Sequence, residues 1–188
     1  MTKQRKLIIS AILSCAALAL SYLLATRQGE LQTPVLAIVQ PGYYAVTKIY
    51  DGDTFEIDMS GRREKIRLIG VDTPETHKPN TPVQCFGPEA SAFTTRKLSY
   101  QSVRLEADPV GDNRDRYNRL LRYAYLPDGT MLNETLIEQG YGFAYLSFAF
   151  QKKEEFAAAQ EAAQSASRGL WASCQPKLSG ERWESNTL

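Results

Sequence analysis

Three β-like runs stand almost end to end near the start of the folded part of this chain, and they leave little choice of architecture. Ala45 to Ile49 and Thr54 to Met59 flank Asp51-Gly52-Asp53, and Ser60-Gly61 makes a hairpin-type turn into Glu64 to Ile69. Alternation of apolar and polar residues in such runs is the period of strands with one buried face. After them the pattern changes. Pro88 follows Gly87, a favoured first-turn position, and opens a helical stretch from Glu89 to Ser99. Val103 to Ala107 and Leu120 to Leu126 read as two further strands, the second running into the turn Pro127-Asp128-Gly129. Leu132 to Gln139 is a short helix that stops at Gly140. Gln151 to Arg168 is a longer one, with the apolar stripe Phe156, Ala159, Ala163, Ala166 and Leu170 ending at Gly169. This order predicts an α+β fold: a small barrel of five strands with three helices packed outside it.

With 188 residues, 43% of them hydrophobic, the chain can bury one core. Its first 26 residues stand apart. Lys3, Arg5 and Lys6 precede Leu7 to Ala25, nineteen residues without a charge. Such a run is long enough to cross a bilayer as a helix, with the cations holding the N-terminus in the cytoplasm. A signal peptide cleaved at Ala17-Leu18-Ala19 and a lipoprotein signal at Ile12-Leu13-Ser14-Cys15 are the alternatives; the apolar run continues past both, which favours an uncleaved anchor. Residues 27–43 read as a linker, residues 44–174 as the domain, and residues 175–188 as a polar, loose tail. All three forms export the domain, so the expected location is extracytoplasmic, at the cytoplasmic membrane.

Export alters the charge balance. Residues 30–188 hold 18 Lys and Arg against 21 Asp and Glu, a net of −3, so the domain is not a generally basic nucleic-acid binder. Its positive charge is local, in Arg62, Arg63, Lys65 and Arg67 and in Arg114, Arg116, Arg119 and Arg122. An oxidising compartment allows Cys85 and Cys174 to pair, although their spacing alone leaves two free thiols open. These two cysteines and the single His77, read as a loop residue, are too few for a structural zinc site.

The chemistry lies in short blocks. Asp51-Gly-Asp53-Thr54 is followed by Arg67-Leu-Ile-Gly-Val-Asp72-Thr73-Pro74-Glu75-Thr76 and then by Arg116-Tyr117-Asn118-Arg119. Carboxylates gather a hard cation, and guanidinium groups grip phosphate with two prongs. Together they read as metal-assisted chemistry on a phosphoester. Singly, each block has a plain explanation as a turn, a helix cap or a hairpin.

In this order the blocks closely resemble the staphylococcal nuclease (thermonuclease) family over about Tyr44 to Trp171. The matching segments include Ile66-Arg-Leu, Val71-Asp-Thr-Pro-Glu-Thr, Gly87-Pro-Glu-Ala-Ser-Ala-Phe, Asp115-Arg-Tyr-Asn-Arg, Asn133-Glu and Gly169-Leu-Trp. The resemblance implies an OB-type five-stranded β-barrel and a Ca2+-dependent endonuclease that hydrolyses phosphodiester bonds in DNA and RNA with little sugar specificity, single strands preferred. It assigns Asp53 and Asp72 as metal ligands through their carboxylates and Thr73 through its carbonyl. Glu75 becomes the general base, or the group that positions the attacking water. Arg67 and Arg119 become the catalytic arginines, and Tyr117 a phosphate contact. Arg116 matches a substrate-side cation, with a solvated surface charge as the other reading. After Gly140 the match weakens, and Tyr145 is the choice among several aromatics for a platform on which a base stacks. A non-catalytic OB-fold nucleic-acid-binding module is the competing function, but such modules have lost acidic and arginine residues that are retained here.

Overall fold

The computed structural model describes residues 42–76 and 81–188. The N-terminal apolar segment, nearly all of the linker and His77 lie outside the described residues, so the expected anchor is not part of the architecture below. Among the described residues no helix is long and apolar enough to cross a membrane.

In chain order the first elements are β1 (Tyr43–Ile49), β2 (Thr54–Met59), β3 (Arg62–Leu68), β4 (Val71–Asp72), α1 (Gly87–Leu98), β5 (Ser102–Glu106) and β6 (Leu120–Tyr125). They are followed by α2 (Leu132–Glu138), β7 (Phe143–Ala144), α3 (Lys153–Ser165), α4 (Leu170–Ser173), β8 (Lys177–Ser179) and β9 (Arg182–Glu184). The five expected strands close into a barrel in the order β1-β2-β3-β6-β5.

Local chemistry explains the hairpin at its centre. Ser60 and Gly61 both have positive φ, 56° and 84°, the conformation whose twist matches that of two antiparallel strands. In β2, Phe55 and Ile57 are fully buried while Glu56 and Asp58 lie on the other face, and Phe55 sits opposite Ile66 of β3. The β3–β6 pairing is parallel, with Ile66 opposite Leu120 and Arg67 opposite Leu121. That parallel seam brings Arg67 and Arg119 to the same end of the barrel.

The core continues from the barrel into the helices. Leu68, Ile69 and Val103 pack with Leu132, Leu136 and Ile137 of α2 and Phe156 of α3. Asn133, fully buried, accepts a hydrogen bond from the Ala124 amide and donates to the Ile69 and Arg122 carbonyls. It thereby satisfies backbone groups that the barrel cannot pair where β3 ends.

Two expectations need correction. The last long helix stops at Ser165, Ala166 is exposed, and Leu170 is buried from the separate short helix α4. Positive φ at Ser167 and Gly169 breaks the helix there. The break lets the Arg168 backbone close on Gly140, where any Cβ would strike the Arg168 carbonyl, and the Leu170 amide bonds the Gly140 carbonyl at 2.9 Å.

The C-terminal tail is not loose. β8 and β9 form a hairpin whose Trp183 ring packs edge-on against Trp171, with centroids 5.1 Å apart. Cys85 and Cys174 form a disulfide beside it. Around that link the Cys85 amide bonds the Asn186 carbonyl at 2.7 Å, Ser185 Oγ bonds the Cys85 carbonyl at 2.9 Å, and the Leu188 amide bonds the Val83 carbonyl at 3.0 Å. The tail reads as polar because its strands are exposed and only three residues long each.

Asp108 ties the loop after β5 to the start of the last long helix. Its Oδ1 accepts the Val110 and Gly111 amides, and its Oδ2 accepts the Tyr123 hydroxyl at 2.5 Å and the Gln151 amide at 2.8 Å. Burial alone would raise its pKa, but these hydrogen bonds, Tyr123 first, hold it below the ordinary aspartate value. The stabilisation is therefore complete above the unfolded value of about 4 and is lost as pH falls through the lower folded one. Asp108→Asn is expected to cost about 1–3 kcal/mol in urea unfolding at pH 7. The gap to wild type should narrow at pH 3, and an equal gap at both pH values would contradict this account.

Candidate active site

The loop between β1 and β2 brings the first carboxylates inward. The Asp53 amide donates to Asp51 Oδ1 at 3.0 Å, an Asx-type turn, and Thr94 Oγ1 of α1 donates to the Gly52 carbonyl at 2.6 Å. Glycine is required between the two aspartates because a Cβ at position 52 would lie 2.7–2.9 Å from the Thr73 side chain. Thr73 in turn holds Asp53. Its amide and hydroxyl donate to Asp53 Oδ2 at 2.8 and 3.0 Å.

Arg67 projects from β3 into this cluster, its side chain only 13% exposed. Nε faces Asp53 Oδ1 at 3.2 Å, Nη2 donates to Asp72 Oδ1 at 3.1 Å, and Nη1 donates to the Leu68 and Val71 carbonyls at 2.8 and 2.6 Å. Burial opposes the charge on Arg67, but Asp53, Asp72 and Asp51 outweigh it and hold the guanidinium ionised. Asp72 is placed by the β4–β7 ribbon, opposite Phe143. Its second oxygen, Oδ2, accepts Nε and Nη2 of Arg182 at 2.9 and 2.7 Å.

The acids outnumber their local partners. Asp51 is pushed up to about 7, by burial first and then by the adjacent Asp53 carboxylate. Burial and the neighbouring carboxylate thus both disfavour charge on Asp51, and the oxygen donors grouped here suit a hard, oxygen-seeking cation. Among the described residues no group of three or more His, Cys, Asp or Glu is arranged to hold a metal by itself. Coordination by Asp53 and Asp72 would need oxygens from the Thr73 carbonyl, water or substrate.

Glu75 follows in an extended segment clamped by Gln84. The Glu75 amide donates to Gln84 Oε1 at 2.7 Å and its carbonyl accepts the Gln84 amide at 2.9 Å. On the other side, Asp115 shapes the turn that ends in Arg119. Asp115 Oδ1 accepts the amides of Tyr117 and Arg119, Oδ2 accepts Arg119 Nε at 2.6 Å, and Asn118 has a positive φ of 63°. Burial would raise the Asp115 pKa, but the Arg119 hydrogen bonds and charge lower it. Arg119 Nη1 reaches Thr54 Oγ1 at 3.4 Å. Tyr117, 64% exposed, stands between Arg116 and Arg119, whose guanidinium carbons lie 4.9 and 5.3 Å from its ring centroid.

All nine residues singled out in the sequence line one cleft of about 850 Å³: Asp53, Arg67, Asp72, Thr73, Glu75, Arg116, Tyr117, Arg119 and Tyr145. A second cleft of about 600 Å³ adjoins it, sharing Arg67, Arg116, Tyr117, Arg119 and Tyr145.

Comparison with known proteins accords with this geometry. A family profile described as staphylococcal nuclease homologue matches residues 65–173. The thermonuclease of Staphylococcus hyicus is 40% identical over 161 residues, which is 85% of this chain and 94% of that protein. The chain belongs to the staphylococcal nuclease family. The thermonuclease of Staphylococcus intermedius is 52% identical over 97 residues, 52% of this chain and 56% of that protein. Endonuclease YncB of Bacillus subtilis is 35% identical over 125 residues, 64% of this chain and 57% of that protein. Family membership makes the chain a phosphodiester hydrolase, and its closed five-stranded barrel agrees with the family's OB-type fold.

Several residues of this staphylococcal nuclease site carried no role in the sequence reading. Asp51 was visible as part of its block, and Asp115 stands four residues before Arg119, a spacing that marks a pairing only once a turn is known to join them. Gln84 and Arg182 gave no signal, because neither belongs to a recognisable motif.

Asp115 acts on Arg119 rather than on a reacting group. Asp115→Asn keeps the turn's amide acceptor but removes the charge opposite Arg119 Nε. It is expected to lower kcat for phosphodiester cleavage by about tenfold with little change in KM, and to lower the melting temperature modestly, since the depressed pKa marks a stabilising carboxylate. An unchanged kcat would remove Asp115 from the machinery.

Proposed function

We propose that the protein is a Ca2+-dependent endonuclease that cleaves DNA and RNA with little sugar specificity and prefers single strands. One observation carries this reading. Two carboxylates, the buried Asp53 and the half-buried Asp72, share a cleft with a third acid, Glu75, and with two arginines on adjoining barrel strands and turns.

Asp53, Asp72 and the Thr73 carbonyl would hold the calcium ion, which when bound polarises a phosphoryl oxygen and makes water more acidic. Glu75 orients the attacking water and accepts its proton as the water oxygen bonds to phosphorus, while one ester P–O bond breaks and its oxygen leaves with the electron pair, to be protonated from solvent. Arg119, which lines the cleft and is held through Nε by Asp115, stabilises the charge that grows on the phosphoryl oxygens, and Arg67 adds to the same field. Tyr117 and Arg116 contact a neighbouring phosphate. Tyr145 offers a ring to an unpaired base, which supports preference for single strands, since a base in a duplex keeps its faces stacked. With a net of −3 over residues 30–188, attraction for nucleic acid comes from these arginines rather than from the surface at large. The basic and apolar N-terminal segment supports export, with the domain held outside the cytoplasmic membrane.

The assay is direct. Full-length protein should cut a single-stranded oligonucleotide in calcium and stop in EGTA, with Glu75→Ser as the control against a contaminating nuclease. Cleavage that survives EGTA would overturn the calcium assignment, and binding without cleavage would favour a non-catalytic module. Arg119→Lys keeps the charge but not the fork, and turnover should fall by at least about tenfold with the melting temperature preserved. Arg67→Lys should lower both, because Nη1 of Arg67 also satisfies the Leu68 and Val71 carbonyls.

A further inference from the structure

The C-terminal hairpin lies beyond the residues matched by the family profile, yet it reaches into the cleft. Arg182, on β9, places Nε and Nη2 on Asp72 Oδ2, and its guanidinium carbon stands 5.5 Å from the Tyr145 ring centroid. Arg67 already occupies Asp72 Oδ1, so both oxygens of this carboxylate are engaged by guanidinium groups. The two arginines differ in how firmly they are held. Arg67 is 13% exposed and also bonded to two carbonyls, whereas Arg182 is 48% exposed. Of the two, Arg182 is the one that can leave.

We propose that Arg182 is a built-in competitor for the cation site: it neutralises Asp72 in the metal-free protein and must be displaced before calcium takes that carboxylate. The inference rests on the calcium reading given above. Its physical basis is exclusion. A divalent ion on Asp72 and a guanidinium on the same oxygen repel each other, so each binds at the expense of the other. The hairpin is built to hold this contact. Trp183 anchors it on Trp171, and its far end is hydrogen-bonded to the backbone of Cys85 and Val83.

Calcium binding to the full-length protein, kept in mild detergent and titrated by calorimetry with calcium alone, tests the idea without any activity measurement. Arg182→Gln should tighten calcium binding about 2- to 5-fold, the range expected when a half-exposed ion pair no longer has to be broken. Lys177→Gln removes a positive charge from an exposed position elsewhere on the same hairpin and should leave affinity unchanged. Equal or weaker binding by Arg182→Gln would overturn the proposal, as would equal tightening by both variants, which would reduce the effect to net charge. If wild type and both variants all fail to bind calcium, the calcium reading itself falls and takes the competitor with it. Thermal melts of each variant without calcium confirm that the fold is retained.

Discussion

A single buried guanidinium, Arg67, holds this site together. A charge removed from water is tolerated only when its surroundings repay the loss, and here Asp53 and Asp72 do so from two sides. The same side chain binds the carbonyls of Leu68 and Val71, where the chain leaves the barrel and enters the short β4–β7 ribbon. Arg67 therefore sets the path of the backbone that carries Asp72, Thr73 and Glu75. Thr73 then fixes the far oxygen of Asp53. Carboxylate orientation, strand exit and arginine charge are one interdependent arrangement, so a change at any of the three disturbs the other two.

The barrel supplies the frame for that arrangement. Its parallel seam sets Arg67 beside the strand that begins just after Arg119, and the Asp115 turn aims Arg119 back over the seam. Residues more than fifty positions apart thus meet at one end of the barrel. The helices contribute elsewhere, by burying the apolar base of the barrel and by giving Gly52 a hydroxyl partner in Thr94.

The barrel strands were legible as apolar runs, most plainly β2 and β3, where buried and more exposed positions alternate and the turn between them holds two residues of positive φ. The helix stripe was legible only as far as Ala163. Ala166 continues the spacing, but an alanine adds too little apolar area to hold a turn against the break at Ser167 and Gly169. The cleft residues were legible through their clustered blocks. The hairpin was not: three-residue exposed strands have no periodicity to detect, and the anchoring of Trp183 depends on Trp171 being presented by a separate helix. Arg182 escaped for the same reason, since its partner lies 110 positions away.

The disulfide joins residues 89 positions apart, and Cys85 directly follows Gln84, the residue that clamps both backbone groups of Glu75. The brace on the Glu75 segment thus waits for nearly the last stretch of chain to be made. A polypeptide interrupted before Cys174 carries Asp53, Asp72, Glu75, Arg67 and Arg119, yet it lacks the covalent tie beside that segment. The covalent tie beside Gln84 therefore forms only after Cys174 has been made, and only in surroundings that let cysteines pair.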